Sequence, residues 1–359
     1  MDRIAVKIGS NVLTRSDGSI DFTRISALVD QVCELRASGT EVIIISSGAV
    51  ASGRDELHPE ARLDPVSQRQ LFSAVGQTKL MHTYYQLFKE RGLCCGQVLT
   101  TKENFSTRHY YLNQKHCMEV MLSCGVIPIV NENDTISLTE LMFTDNDELS
   151  GFIATMMDVR LLIILSNVDG IYTGAPGEAG SELVSEIPCG SDFAAKFIRN
   201  TKSSRGRGGM HTKYAVARKV AQEGIPVAIA CGKRDNILPV IASGSRKLPY
   251  TLFLAGAKPI SGVKMWIAHS GGFARGSVTI NQGAAEALLG GSATSLLPVG
   301  ITAVEGDFEK DDLVNILAPD GRTIAVGKAN YDAATAQEMM GRQQAKEFVH
   351  YDYLYIEQP

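Results

Sequence analysis

The residues of this chain whose types and spacing fit a chemical task are two lysines, two clusters of aspartate and asparagine, and a glycine-rich basic loop. The densest stretch is Asn131–Ser150, NENDTISLTELMFTDNDELS, with three Asn, three Asp and three Glu. Its side chains gather in two compact groups, Asn131–Asp134 and Asp145–Asp147. Such groups can hold a cationic amine, orient lysines or bind Mg2+ through water. Lys7, followed by Gly9, Ser10 and Asn11, stands near the end of an apolar run and must reach water or a partner charge. Ser47-Gly48-Ala49 offers a hydroxyl and backbone N–H groups to a carboxylate. Arg205-Gly206-Arg207-Gly208-Gly209-Met210-His211-Thr212-Lys213 opens a helical pattern with glycines and places Thr212 and Lys213 in its first turn. Backbone donors at the positive end of a helix make a phosphate site. The loop is not a Walker A motif, because GxxxxGK[ST] does not fit it.

Together these residues describe phosphoryl transfer. Two lysines on separate elements neutralise phosphate charge while an anion attacks, and aspartates fix the lysines; positioning and electrostatics supply most of the catalysis in such reactions. The histidines are scattered, with His211 alone inside a motif, and no Ser-His-Asp or Cys-His constellation suggests itself.

The elements that must carry these residues alternate. Ile4, Val6 and Ile8 mark a strand that ends near Lys7. Ile25, Leu28, Val29, Val32 and Leu35 have helical spacing, stopped by Gly39. Val42–Ile45 reads as a strand covered on both faces. A helix from about Val66 to Phe88, a strand near Gln97–Leu99, a helix around Gln114–Ser123 and strands at Val126–Val130, Leu161–Leu165 and Val227–Ala230 follow. This rhythm predicts an α/β fold, a mostly parallel sheet sandwiched by helices. The acidic cluster then leaves the carboxyl end of a buried strand, where ligands bind in such sheets. Ser245–Gly262, with Pro249 and Pro259, reads as a linker or domain edge. Beyond it come short segments, Ser277–Ile280, a helix Gly283–Leu289, Gly300–Glu305, Leu313–Leu317 and Thr323–Gly327. Asp320-Gly321 signals a hairpin. The pattern is a small β-rich module, and the aromatic tail Phe348–Ile356 is expected to pack.

Composition narrows the class. With 359 residues, 44% hydrophobic and 21% charged, the chain has room for one large and one small domain. A formal net charge of −4 gives no global reason for nucleic-acid binding. No apolar run approaches the ~18 residues of a membrane span, and a strand at the very start leaves no room for a signal peptide. The seven cysteines, Cys33, Cys94, Cys95, Cys117, Cys124, Cys189 and Cys231, contain no CxxC pair and read as buried thiols in a reducing cytoplasm.

KIGSNVLT at Lys7–Thr14, SSGAVASGR at Ser46–Arg54, NEND at Asn131–Asp134, TDND at Thr144–Asp147, DGIYT at Asp169–Thr173 and GGMHTK at Gly208–Lys213 give the chain a resemblance. In this order they are similar to the glutamate-phosphorylating branch of the amino-acid kinase family, through about residue 255, and the remainder resembles a PUA domain. The resemblance implies a kinase domain at 1–258 and a PUA-like domain at 273–350. It implies ATP-dependent phosphorylation of the γ-carboxylate of L-glutamate, the first step of proline biosynthesis, with ATP as co-substrate and Mg2+. It further implies a cytoplasmic homo-oligomer, dimer or tetramer, that hands its labile product to a glutamyl phosphate reductase; with the chain ending at Pro359, no fused reductase domain is expected.

Carried over by position, Lys7 and Lys213 contact the phosphates and Asp147 holds both lysines, which makes these three catalytic. Ser47, Asp134 and Asn146 bind glutamate, with Asn131 close by. Ser166, Asn167, Arg207, Gly208, Gly209, Met210, His211, Thr212, Lys213 and Lys7 bind the nucleotide. Ser166-Asn167 replaces the family's usual Thr-Asp, and Arg207 replaces a residue that is often small and polar. Two alternatives stay open: a related kinase acting on another small carboxylate or carbamate, and a PUA-mediated RNA-binding protein. For the latter, Ser277–Gly341 has no strong run of Lys and Arg and the overall charge is negative, so an RNA partner is not expected, nor, for want of a long apolar run, is a membrane.

Overall fold

Short continuous β-branched and leucine runs with no polar face suit strands covered on both sides, and they build the centre of the first sheet. In the computed structural model the described residues are 2–59, 63–105, 108–136, 146–198, 209–256, 267, 274–290, 294–343 and 345–356. Their elements begin β1 (Arg3–Ile8), α1 (Ser10–Leu13), α2 (Phe22–Ala37), β2 (Glu41–Ser46), α3 (Ala49–Glu56), α4 (Pro65–Glu90), β3 (Cys94–Thr100), α5 (Arg108–Ser123) and β4 (Val126–Glu132). They continue with α6 (Asn146–Met156), β5 (Leu161–Ser166), β6 (Glu186–Ile187), α7 (Met210–Gln222), β7 (Val227–Cys231), α8 (Ile237–Ala242) and β8 (Tyr250–Phe253).

These strands form one eight-stranded sheet in the order β3-β4-β2-β1-β5-β7-β8-β6. β1 lies between β2 and β5, parallel to both, and every residue of β2 and β5 is buried. The parallel strands β3, β4, β2, β1, β5 and β7 end along one edge, which carries Lys7, Ser46, Asn131 and Ser166. α2 begins under an Asp21 cap on the Arg24 N–H, and α4 under an Asp64 cap with Pro65 in its first turn. Among the described residues no helix is long and apolar enough to cross a membrane.

One expectation fails in part within this sheet. Ser245–Gly262, read as a linker or domain edge, does contain the boundary between the two compact units near Pro259, but its first half carries the strand β8, antiparallel to β7. Pro249 and the following glycine and proline mask a four-residue run, Tyr-Thr-Leu-Phe, whose aromatic and branched side chains suit a strand; proline directly before it is compatible with the ladder. The cysteines also depart from expectation. Among them Cys95 is buried, Cys33 and Cys231 are half-buried, and Cys94, Cys117, Cys124 and Cys189 are exposed. Cysteines on helix α5 and at the ends of elements follow the solvent face of those elements, which spacing does not reveal.

Contacts divide the chain into two compact units, Met1–Lys102 with Asn113–Pro259, and Glu103–Leu112 with Ile260–Pro359. In the second, β9 (Gly276–Ile280), β10 (Ile301–Gly306), β11 (Leu313–Leu317), β12 (Thr323–Lys328) and β13 (Leu354–Ile356) form a separate sheet, ordered β10-β9-β11-β12-β13. β11 and β12 make the hairpin that Asp320-Gly321 signals, with Gly321 at φ +81° and the Asp320 carboxylate accepting from the Arg322 N–H. The core joins Val278, Ile280, Val314 and Ile316 to Phe308 and Phe348. The aromatic tail packs here: Phe348 is buried and β13 pairs with β12, although Tyr351 stays exposed.

Candidate active site

Lys7 is the last residue but one of β1, between Ile45 of β2 and Ile164 of β5. An ammonium group in that position needs an anion, and Asp147 supplies it from the first turn of α6. Lys7 Nζ lies 2.5 Å from Asp147 Oδ1, and Lys213 Nζ donates to Oδ2 at 2.8 Å. Asp147 has no exposed surface, and the two lysines are 4% and 8% exposed. Helix packing creates this meeting. A side chain at Gly151, one turn beyond Asp147, would lie 3.1 Å from Val216 and 3.2 Å from Val220 on α7, so the glycine brings the Asp147 and Lys213 faces together. Burial by itself would push the Asp147 carboxyl up, but Lys7 and then Lys213 outweigh it and hold the group below the usual carboxylate range. The triad carries two positive charges and one negative. Its surplus charge faces a cavity of about 1280 Å3 lined by Lys7, Asp147 and Lys213, where a phosphate is a fitting occupant.

Beside it lies a chain of carboxamides. Asn146 Nδ2 donates to the Ser46 carbonyl, to Ser47 Oγ and to Asn131 Oδ1, each at 3.0 Å. Gly48, at φ +102°, turns the backbone from Ser47 into α3, a conformation other residues adopt only with strain. α4 approaches this turn closely: a Cβ on Gly53 would fall 1.9 Å from the Phe72 carbonyl, and one on Gly76 1.8 Å from that of Ala49. That backbone contact brings Arg69 and Gln77 of α4 to the exit of β4. Arg69 pairs with Glu132 at 3.2 Å and with Asp134. Burial pushes the Asp134 carboxyl up, against the opposing pull of Arg69. Ser47, Asp134, Asn146 and Asn131 all line the same cavity as the lysines.

The other end of the cavity is lined by Ser166, Asn167, Gly209 and Met210. Ser166 Oγ stands 3.4 Å from Asn167 Oδ1, and its carbonyl accepts from the Gly232 N–H. His211 and Thr212 share the first turn of α7 but do not line the cavity, and His211 is exposed. Arg207 and Gly208 lie outside the described residues, as do Thr144 and Asp145. Arg234 grips Asp169 with both arms, one at 2.8 Å, and Tyr172 donates to the same carboxylate at 3.1 Å. The Arg234 hydrogen bond is the main reason that the Asp169 carboxyl sits below its ordinary range. This clamp fixes the turn after β5 that forms the cavity wall.

Among the described residues no three His, Cys, Asp or Glu side chains gather as metal ligands. The nearest carboxylates, Asp147, Asp134 and Glu132, are each committed to a lysine or to Arg69. With the described carboxylates so engaged, a divalent ion would take its ligands mainly from the oxygens of a bound phosphate and from water, which is how Mg2+ is usually bound.

Arg69, Gln77 and Arg234 are not singled out by sequence reasoning. For the first two a signal exists: Arg69, Ser73 and Gln77 recur every four residues, a polar stripe on α4 beside the buried Phe72, Gly76 and Leu80. Arg234 follows β7 in an ordinary-looking turn and leaves no such trace.

The chain matches the amino acid kinase family over residues 2–231 and the PUA domain over residues 276–351. A protein of Bacteroides thetaiotaomicron named glutamate 5-kinase is 62% identical over 355 residues, 99% of this chain and 98% of that one. Its namesake from Chlorobaculum tepidum is 45% identical over 355 residues, covering 99% and 97% of the two chains. The protein of that name from Trichlorobacter lovleyi is 38% identical over 345 residues, covering 96% and 91%.

Proposed function

This chain belongs to the amino acid kinase family, and from that premise we propose that it moves the γ-phosphoryl group of ATP to the side-chain carboxylate of L-glutamate, giving L-glutamyl 5-phosphate for proline synthesis. The observation that carries the proposal is the buried Lys7–Asp147–Lys213 triad beside a pocket holding both an amide-and-hydroxyl chain and a carboxylate. Full-length likeness to three glutamate 5-kinases supports the choice of substrate.

The chemistry follows from charge. The γ-carboxylate of glutamate, with a pKa of about 4.3, is ionised at neutral pH, so no general base is needed. One carboxylate oxygen forms a bond to the γ-phosphorus, the bond to the ADP oxygen breaks, and no proton moves. The barrier is the approach of an anion to a polyanion. Lys7 and Lys213 neutralise that charge, and the N-terminus of α7 adds its positive dipole end. Asp147 holds the two ammonium groups apart and in register; it is not a base. Asp134 meets the substrate ammonium, while Ser47 directs its O–H at a carboxylate and Asn146, its amide hydrogens shared among Ser46, Ser47 and Asn131, orients that hydroxyl from the pocket wall. Ser166, Asn167, Gly209 and Met210 flank the nucleotide; Arg207, Gly208, His211 and Thr212 belong to the same loop and first turn. Lys7 and Lys213 would share the task of neutralising charge with Mg2+ carried by the ATP phosphates, which would supply further positive charge when bound.

The same reading makes the kinase domain 1–258 and the PUA-like domain 273–350, supported by the change of contact unit near residue 259. It makes the protein a cytoplasmic homo-oligomer whose acyl phosphate product passes to a reductase. ADP formation with glutamate, aspartate, N-acetylglutamate, carbamate and uridylate tests the substrate. Glutamate is expected to exceed the others by orders of magnitude in kcat/KM, and comparable turnover with any other acceptor overturns the assignment.

A further inference from the structure

Gln77 lies on α4 with 9% of its surface exposed, and among the described residues its Nε2 has no hydrogen-bond partner. A buried amide with an orphaned donor is destabilising relative to an apolar side chain of the same shape. What its other atom does is therefore the question. Gln77 Oε1 accepts from Asn131 Nδ2 at 2.9 Å.

The direction of every bond in this chain is fixed by groups that cannot reverse. The Glu132 backbone N–H only donates, so the Asn131 atom 2.9 Å from it is Oδ1. Nδ2 of Asn131 then faces Gln77, which must answer with its oxygen. At the other end the Ser46 carbonyl only accepts, so the Asn146 atom facing it is Nδ2. That nitrogen also meets Asn131 Oδ1 and Ser47 Oγ. Ser47 Oγ thus accepts from Asn146, and its own proton is left to point at a ligand. Remove the Gln77 oxygen and Asn131 Nδ2 loses its partner, which loosens the acceptor that orients Asn146 and, through it, Ser47.

We infer that Gln77 is a positioning residue for the substrate: through Asn131 and Asn146 it sets Ser47 as a hydrogen-bond donor to the carboxylate that the pocket receives. The inference rests on the proposed glutamate site and adds to it a residue that touches no substrate. It explains why an amide, and not an apolar side chain, occupies this buried place on α4, where its N–H has no partner among the described residues.

The test is steady-state kinetics on the full chain, with glutamate and ATP each varied, for the parent, Gln77→Leu, Asn131→Ala and the double variant, beside thermal unfolding. Gln77→Leu should raise KM for glutamate about tenfold, leave KM for ATP and the unfolding temperature unchanged or raise the latter, and have no further effect once Asn131 is alanine. An unchanged KM for glutamate in Gln77→Leu overturns the inference. So does an equal rise in both KM values, or an effect of the same size in the Asn131→Ala background. If Gln77→Leu does not fold, Gln77→Met supplies the same comparison. Absence of glutamate-dependent ADP formation by the parent chain overturns the functional reading itself, and the inference with it.

Discussion

Replacing Asp147 by asparagine keeps shape and removes one charge, which leaves two ammonium groups facing each other without an anion. The parent triad has Lys7 at 2.5 Å and Lys213 at 2.8 Å from a carboxylate with no exposed surface. Breaking a buried pair by deleting one partner costs about 3–5 kcal/mol, so Asp147→Asn should lower Tm by roughly 5–15 °C. The amide can still accept from one lysine but cannot hold both, and kcat should fall by about 10²–10³, as when a preorganised electrostatic group is lost. A non-hydrolysable ATP analogue should recover more Tm in the variant than in the parent, because bound phosphates supply the missing negative charge. The pH dependence has a definite sign. A carboxyl held below its usual range contributes stability that is fully present above its unfolded pKa of about 3.9 and is lost as pH falls through the lower folded value. The difference in Tm between parent and variant should therefore be constant from about pH 6 to about pH 8, some two units or more above that unfolded pKa, and shrink only in stronger acid. Differential scanning calorimetry and initial rates measure both effects. A variant with parental Tm and a kcat within threefold of the parent would refute the account of the triad.

Lys7→Met and Lys213→Met each leave a balanced one-to-one pair with Asp147, so both variants should unfold at or above the parental temperature while turnover falls by orders of magnitude; near-normal turnover in either would remove that lysine from the site. Asp134→Ala should raise KM for glutamate far more than KM for ATP, and an equal rise in both would place Asp134 beside the nucleotide. Because burial raises the Asp134 carboxyl despite Arg69, and an ionised carboxylate is required to hold an ammonium, glutamate affinity in the parent should weaken with falling pH before ordinary carboxylates titrate; Asp134→Asn should flatten that limb of the KM profile. Arg234→Ala should release the Asp169 turn, raise KM for ATP severalfold and spare KM for glutamate, and the reverse pattern would show that the clamp serves the other end of the cavity.

Much of this was legible in the sequence because the first sheet is buried on both faces. Runs such as Val42–Ile45 and Leu161–Leu165 admit no polar alternation, so strand, burial and parallel pairing are read together, and the polar residues at their ends mark one edge. Lys7 stands out for the same reason, as a charge in an apolar run; Asp147 was legible only as part of an acidic cluster and through the family resemblance, and the helix α6 that it opens was not read from the sequence. β8 was hidden by Pro249 and by its length of four residues. The α4 contributions were hidden by distance in sequence, since Gln77 meets Asn131 across 54 positions, and only the Gly53 and Gly76 backbone approach makes that contact possible. The exposure of most cysteines depends on which face of an element meets solvent, and a single thiol carries no periodic signal of that.

The central claim is that a glutamate carboxylate oxygen attacks the γ-phosphorus. Glutamate labelled with oxygen-18 in its side-chain carboxylate, incubated with the enzyme, ATP and Mg2+ in the presence of hydroxylamine, tests it directly. Hydroxylamine takes the acyl group by attack at carbon and releases phosphate bearing the bridging oxygen. The account predicts glutamyl hydroxamate in step with ADP, and phosphate in which phosphorus NMR finds one oxygen-18 per molecule. ADP accompanied by unlabelled phosphate and no hydroxamate would mean that water is the acceptor, and would contradict it.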